Sequence, residues 1–355
     1  MQFSLTSAFA AAIFMLGTGV AEHALATATV GQTRHVELPA QQVNAKDHTK
    51  EAFLRPDNIP FPPTNPYTAE KFILGQILFH DTRLSGSGAQ ACASCHNAGF
   101  GFGDGRNKGI GAAMKPLERN SPSIINAAWG DLFMWDGAAR SLEEQALKPI
   151  QSDKEMNEPI DGLIRTLTAI EGYRPLFEAA FPHQPITPAA VAACLATYER
   201  TVVSEQAPFD LWIEGDDSAI SASAKIGFAL FTTKARCALC HSGWRFTDDG
   251  FHDIGLPDDD IGRGKLFPRV KKMQHAFKTP GLREAARGGP YMHDGSLGTL
   301  EDVVAHYNSG GAGRASQSEL VTPLHLSDQE QSDIVAFLRT LTSPVAPDLV
   351  PELPR

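Results

Sequence analysis

The sequence predicts a mostly α protein made of two domains of like build. Three observations carry this. The pentapeptide Cys92-Ala93-Ser94-Cys95-His96 returns as Cys237-Ala238-Leu239-Cys240-His241, with the two histidines 145 residues apart (241 − 96). Each copy follows a similar run, Gly75-Gln76-Ile77-Leu78-Phe79 before the first and Gly227-Phe228-Ala229-Leu230-Phe231 before the second. Both runs read as short amphipathic helices, so the chain holds an internal repeat. Strand patterns are scarce, while helix start signals recur along the chain. A length of 355 residues suits about two domains.

The repeated pentapeptide is a C-x-x-C-H run. Its two thiols add across the vinyl groups of a haem, and the histidine becomes the proximal iron ligand. The two runs use four of the five cysteines, and each ends in His, which a zinc or thiol-redox site does not require. The fold expected is therefore two cytochrome c-like domains, each around one covalent c-type haem. Residues 67–205 form the first, with Cys92, Cys95 and His96. Residues 206–343 form the second, with Cys237, Cys240 and His241. After each motif the chain turns rich in Gly and Asp, at Phe102-Gly103-Asp104-Gly105 and Phe246-Thr247-Asp248-Asp249-Gly250. Such loops are common where a porphyrin supplies much of the core.

The remaining segments follow in order. Residues 1–26 read as a secretory signal, with an apolar run from Phe3 to Val20 and Ala24-Leu25-Ala26 as the cleavage site, though no Lys or Arg precedes the run. An uncleaved anchor is the competing reading, and the run is short for one. Export to the periplasm agrees with covalent haem attachment, and no later segment is long and apolar enough to span a membrane. Residues 27–66 are polar and then proline-rich, an extended lead-in. Ser141 to Leu147 is a helix, with Ser141 and Glu144 as a capping box. Another runs through 159–181. Thr187 to Ser204 follows, with Thr187 as N-cap, Pro188 in the first turn, and Val191, Leu195, Tyr198 and Val202 on one stripe. Cys194 borders that stripe and reads as a buried, inert thiol. Thr299 to Tyr307 is a helix capped by Thr299. Ser327 to Leu341 is the last, with Ser327 and Glu330 as a capping box and Ile334, Leu338 and Leu341 on one face. Residues 344–355 are a tail. The formal net charge of −10 argues against nucleic acid and fits a soluble protein that meets a basic redox partner.

A two-haem protein is a wire if both irons have two axial ligands, and an enzyme if one is open. No His occurs from Asn97 to Pro182, so the loop after the first motif supplies none. Met114 and Met134 remain as candidates there. This tilts the first iron towards an open site that peroxide can reach.

The chain resembles the bacterial di-haem cytochrome c peroxidase family, and within it the MauG-like branch. The resemblance covers roughly residues 67–343. It rests on the two haem motifs and on Arg119-Asn120-Ser121-Pro122, Trp135-Asp136-Gly137, Leu142-Glu143-Glu144-Gln145-Ala146, Glu155-Met156, Pro290-Tyr291-Met292-His293-Asp294-Gly295 and His306-Tyr307-Asn308-Ser309-Gly310-Gly311. It implies Gln145 as a distal-pocket residue at the peroxidatic haem and Glu155 as the acid–base group there. A solvated surface carboxylate is the plain alternative for Glu155, in a polar loop. Trp135 is implied as the relay between the haems, with Trp129 as its competitor. Asn120 is implied as a side-chain ligand of one inter-haem Ca²⁺, with the carbonyls of Gly288 and Pro290 as backbone ligands; a turn residue is the alternative. His293 is implied near the edge of the second haem, in a supporting place.

Two departures from the typical peroxidases matter. Their loop histidine that caps the first iron until reduction is matched here by Ala112. Their methionine on the second iron is matched by Tyr307, the MauG-like pattern, with His306 beside it as the rival ligand. A one-residue step turns a helix by about 100°, so only one of the two can face the iron. The resemblance then implies a periplasmic enzyme that reacts with hydrogen peroxide, forms a high-valent di-haem state, and oxidises tryptophan residues of a partner protein by long-range electron transfer. The alternative is a peroxidase that reduces peroxide to water with electrons from a small cytochrome c or cupredoxin. A non-catalytic electron carrier is the third reading.

Overall fold

The structure, a computed structural model, describes residues 49–344 and 350–355. The signal segment at 1–26 and most of the lead-in lie outside the described residues.

Helix α1 (Ala69–His80) starts at Thr68, whose hydroxyl accepts the Lys71 N–H. The single turn α2 (Cys92–Cys95) holds the first cysteine pair. Then come α3 (Leu142–Gln151), α4 (Ile160–Ala169), α5 (Tyr173–Ala180) and α6 (Pro188–Thr201). The second half carries α7 (Pro208–Ile213), α8 (Ala222–Thr232), α9 (Leu300–Ser309) and α10 (Asp328–Arg339). The only strands among the described residues are β1 (Phe251–His252) and β2 (Phe277–Lys278), antiparallel, with Phe251 opposite Lys278. The fold is mostly helical, as the sequence predicts.

The internal repeat has a physical cause. In the first half α1 crosses α6, and in the second α8 crosses α10. A Cβ at Gly75 would collide with the carbonyl of Cys194, and one at Gly227 with the carbonyl of Asp333. Each glycine lets two helix backbones touch. The phenylalanine four residues later, Phe79 or Phe231, is then fully buried in the core beside that crossing.

Two hydrophobic cores result. The first is built from Leu74, Leu78, Leu163, Tyr173, Val191 and Leu195. Truncating a buried leucine in such a core costs about 2–5 kcal/mol. Cys194 is fully buried there, and burial pushes its thiol up to about 12, so it is inert as expected. The second core is dominated by Phe209, Phe228, Phe231, Phe246 and Phe337. Phe53 joins it, stacked on Phe246 at 4.8 Å. The lead-in therefore anchors through one aromatic on a short turn at Lys50–Phe53, a contact that leaves no periodicity in the sequence.

Two element boundaries differ most from the sequence reading. The expected helix at 159–181 is broken into α4 and α5, and the Gly172 N–H at the break donates to the Arg355 carbonyl at 2.9 Å. The end of the tail docks there, with Leu353 against the first core. Helix α3 runs past Pro149 to Gln151, because only one amide is lost and the Ser152 N–H still reaches the Lys148 carbonyl at 3.0 Å. Its capping box is half made. Ser141 Oγ accepts the Glu144 N–H, but the Glu144 carboxylate takes the N–H of Arg140. At α10 the box closes in full, with Ser327 N–H on Glu330 Oε2 at 2.8 Å. No helix among the described residues is long and apolar enough to cross a membrane.

Candidate active site

Both motif histidines are held by the same device. His96 Nδ1 lies 3.0 Å from the Phe102 carbonyl, and His241 Nδ1 lies 2.9 Å from the Phe246 carbonyl. A carbonyl only accepts, so Nδ1 carries the proton and the Nε2 lone pair is left for a metal. Burial lowers the pKa of both imidazoles and favours their neutral form. Phe102 and Phe246 each turn the chain with a positive φ, 56° and 57°. These are the first residues of the Gly/Asp-rich loops. The sequence shows the loops, but the carbonyl that fixes the histidine is backbone and leaves no side-chain signal.

Cys92, Cys95 and His96 line a cavity of about 590 Å³, within the range of a bound small molecule. Paired thiols, a neutral imidazole with a free Nε2 and largely apolar walls fit a covalently held haem. Gln145, Glu155, Met134 and Trp135 line the same cavity, and His96 is the only histidine among the described residues that does. Glu155 is therefore no surface carboxylate. Burial raises its pKa, with a hydrogen bond from Ser152 opposing. Gln145 Nε2 reaches Met134 Sδ at 3.9 Å. Met114 is 78% exposed and does not line the cavity. Ala112 gives its N–H to the Lys154 carbonyl, and it is the neighbouring Gly111 that lines the cavity. Glu199, on α6, was not singled out from sequence. It too lines the cavity, and burial pushes its carboxyl up to about 8.

A second, smaller cavity is lined by Cys237, Cys240, His241, His293, Val303 and Tyr307. His306 points elsewhere, with Nε2 donating to the Ile254 carbonyl at 3.0 Å. The one-residue rotation along α9 separates the pair, and Tyr307 is the member that shares the cavity with His241. Burial raises its phenol above the usual range, and the nearby Cys240 and Cys237 sulfurs add to this. Asp248 and His252 come close to Cys240, but that thiol belongs to the attachment motif.

Trp135 lines both cavities. Its Nε1 donates to the Asn120 carbonyl at 2.9 Å, and its own carbonyl accepts the Lys278 N–H at 2.8 Å. Its ring lies 6.4 Å from that of His293, which stacks on Phe277 at 3.4 Å. Trp129 instead packs edge-on against Trp244 at 4.6 Å and lines neither cavity. Arg119 clamps the Trp-Asp-Gly turn, bonding Asp136 at 2.8 Å and Asp260 at 2.7 Å. Asn120 sits beside this clamp. Its side-chain amide is 2.7 Å from the Arg106 carbonyl and 3.4 Å from that of Pro290. Gly288 lines the first cavity nearby. The Arg106 carbonyl was not expected, since a backbone oxygen carries no residue-type signal.

Two attachment motifs, each with an oriented histidine at its own cavity, define a di-haem c-type protein. Residues 69–218 match the di-haem cytochrome c peroxidase family and residues 224–342 match cytochrome c. The chain is 50% identical over 335 residues to the methylamine utilization protein MauG of Methylorubrum extorquens, covering 94% of each chain. It is 32% identical over 288 residues to the cytochrome c551 peroxidase of Pseudomonas aeruginosa, covering 78% of this chain and 80% of that one. The crystal structure of a MauG-like protein associated with microbial copper homeostasis superposes with a TM-score of 0.75 at 31% identity, covering 81% of this chain and 94% of that one. The chain belongs to the di-haem cytochrome c peroxidase family, in its MauG-like branch, and is an oxidoreductase. Members of this family carry two haem c groups.

One expected result follows from the paired motifs. Denatured holoprotein should keep its haem colour on a gel, at two haems per chain. Replacing Cys237 and Cys240 with Ala should leave one.

Proposed function

We propose that this protein is a periplasmic di-haem enzyme that takes oxidising equivalents from hydrogen peroxide and uses them to oxidise tryptophan on a partner protein. The observation that carries this reading is Trp135 in the wall of both cavities. A haem in each cavity supplies the redox chemistry, with peroxide entering at the His96 side. There Glu155 takes the proton from the near peroxide oxygen and returns it to the far one as the O–O bond breaks. Gln145 lies on the same wall and orients the peroxide by its amide. Both groups are half-buried in the cavity wall, where a lowered dielectric strengthens their polar contacts. Trp135, fixed by its Nε1–H bond to Asn120, is the bridge between the two cavities.

His241 and Tyr307, which line the second cavity together, would be the two residues that hold the iron of a haem bound there. A phenol buried this way ionises only against a cation, so the phenolate form belongs to the metal-loaded protein. Asn120 Nδ2 donates to the carbonyls of Arg106 and Pro290; with the carboxamide turned over, its Oδ1 would join those two carbonyls as an oxygen set of the kind that Ca²⁺ takes, beside Trp135. Gly288 remains a proposed backbone ligand.

The resting ferric protein should react with peroxide without prior reduction, because no second histidine among the described residues lines the first cavity. Stopped-flow spectra of fully oxidised protein test this. Reaction only after one haem is reduced would mean that another residue caps the first iron.

The second reading is a peroxidase that spends the same equivalents on a small cytochrome c or cupredoxin, as the name of the Pseudomonas aeruginosa relative implies for that protein. Fast turnover with reduced cytochrome c would favour it.

A further inference from the structure

One surface is out of character with the rest of the molecule. Residues 261–283 hold seven Lys or Arg and no Asp or Glu, in a chain of net charge −10. Within this stretch, residues 265–272 are all exposed. Leu266, Phe267 and Val270 are 43–45% exposed at its centre. Lys265 pairs with Asp260 at 3.1 Å. Arg269, Lys271 and Lys272 have no carboxylate partner among the described residues. Large apolar side chains ringed by unpaired cations mark a binding face more than a solvated loop.

The loop is held in shape. Its neck is closed by Arg263 N–H on the Ala276 carbonyl at 2.9 Å and His275 N–H on the Ile261 carbonyl at 2.8 Å. Gln274 Nε2 donates to the Pro268 carbonyl at 3.2 Å. Little ordering is left for binding to supply. Both ends of the loop are fastened to the Trp-Asp-Gly turn. Arg263 Nη1 donates to the Asp136 carbonyl at 2.6 Å, and Lys278 N–H donates to the Trp135 carbonyl at 2.8 Å.

We propose that loop 265–272 is the docking surface for the partner protein, and that it takes a partner presenting an acidic face with an apolar centre. This rests on the partner-oxidation reading above. The net charge of −10 works against an acidic partner while this loop attracts one, so the charges orient the encounter. Phe267 and its neighbours then bury against the partner's apolar centre. The seated partner lies on the segment bonded to Trp135. The overall acidity of the chain suggested a basic partner, but the charge around this loop has the opposite sign.

The probe is a dye-labelled peptide with glutamates flanking one tryptophan and two leucines, bound to holoprotein and read by fluorescence anisotropy. Arg269→Glu with Lys271→Glu should weaken binding at least about tenfold at low salt, and Phe267→Ser should weaken it severalfold. Arg165→Glu with Arg174→Glu, the same charge change on α4 and α5, should leave it within about twofold, as screened charges far from the contact do. Melting curves and haem spectra verify that each variant is folded. Equal loss in both double variants, or no loss in the first, overturns the proposal. So does capture of anionic lipid vesicles by this loop with no hold on the peptide. Peptide that binds through the loop but keeps its tryptophan unoxidised under peroxide leaves the docking surface standing and sinks the partner-oxidation reading instead.

Discussion

Glu155→Gln is expected to slow the peroxide reaction by roughly 10²–10⁴-fold, the range a positioned general acid–base group contributes, while both haems stay attached. The carboxyl lines the His96 cavity, and burial raises its pKa. The sign of the pH effect follows. The group must be ionised to take the first proton, so the wild-type rate should fall as pH drops through a pKa above the ordinary carboxylate range. Glutamine removes the ionisable group and should remove that acid limb with it. Stopped-flow measurement across pH separates this from a packing effect, which would lower the rate without flattening the profile. An unchanged rate would leave Glu155 a half-buried carboxyl in the cavity wall with no part in the reaction.

Tyr307→His is expected to abolish partner oxidation while peroxide still reacts at the His96 side. An anionic oxygen ligand favours the oxidised iron, and a neutral imidazole in its place raises the potential. The second haem should remain six-coordinate and low-spin. Resonance Raman of the native holoprotein should show a phenolate–iron signature that the variant lacks. Tyr307→Phe should change the spectrum of the second haem. If it does not, and the signature is missing in the native protein, the ligand is Met292, which also lines that cavity, since His306 is engaged with the Ile254 carbonyl.

The parts of this molecule that rest on side-chain type were legible in the sequence. The paired C-x-x-C-H runs, the caps at Thr187 and Ser327, and the Gly-x-x-x-Phe repeat each require particular residues, and each appears where expected. The contest between Tyr307 and His306 was posed by the sequence and needed coordinates, because a one-residue rotation along α9 sorts them. What stayed hidden is carried by backbone or by single long-range contacts. The Phe102 and Phe246 carbonyls that orient the histidines, the Arg106 carbonyl at Asn120, and the docking of Arg355 at the α4–α5 break have no composition or period to read. The Arg119 clamp was half visible. Its motif was plain, but its partner Asp260 lies 141 residues away. The basic loop at 265–272 was averaged away by a net charge of −10.

The measurement that tests the central claim most directly is mass spectrometry of a tryptophan in an acidic probe, incubated with holoprotein and peroxide, for wild type and for Trp135→Phe. The expected result is oxidation of the probe's tryptophan by the wild type and its loss in Trp135→Phe, with peroxide still consumed by both. A tryptophan left untouched by wild-type protein that rapidly reduces peroxide with electrons from reduced cytochrome c would contradict the claim, and the protein would then be a peroxidase of the ordinary kind.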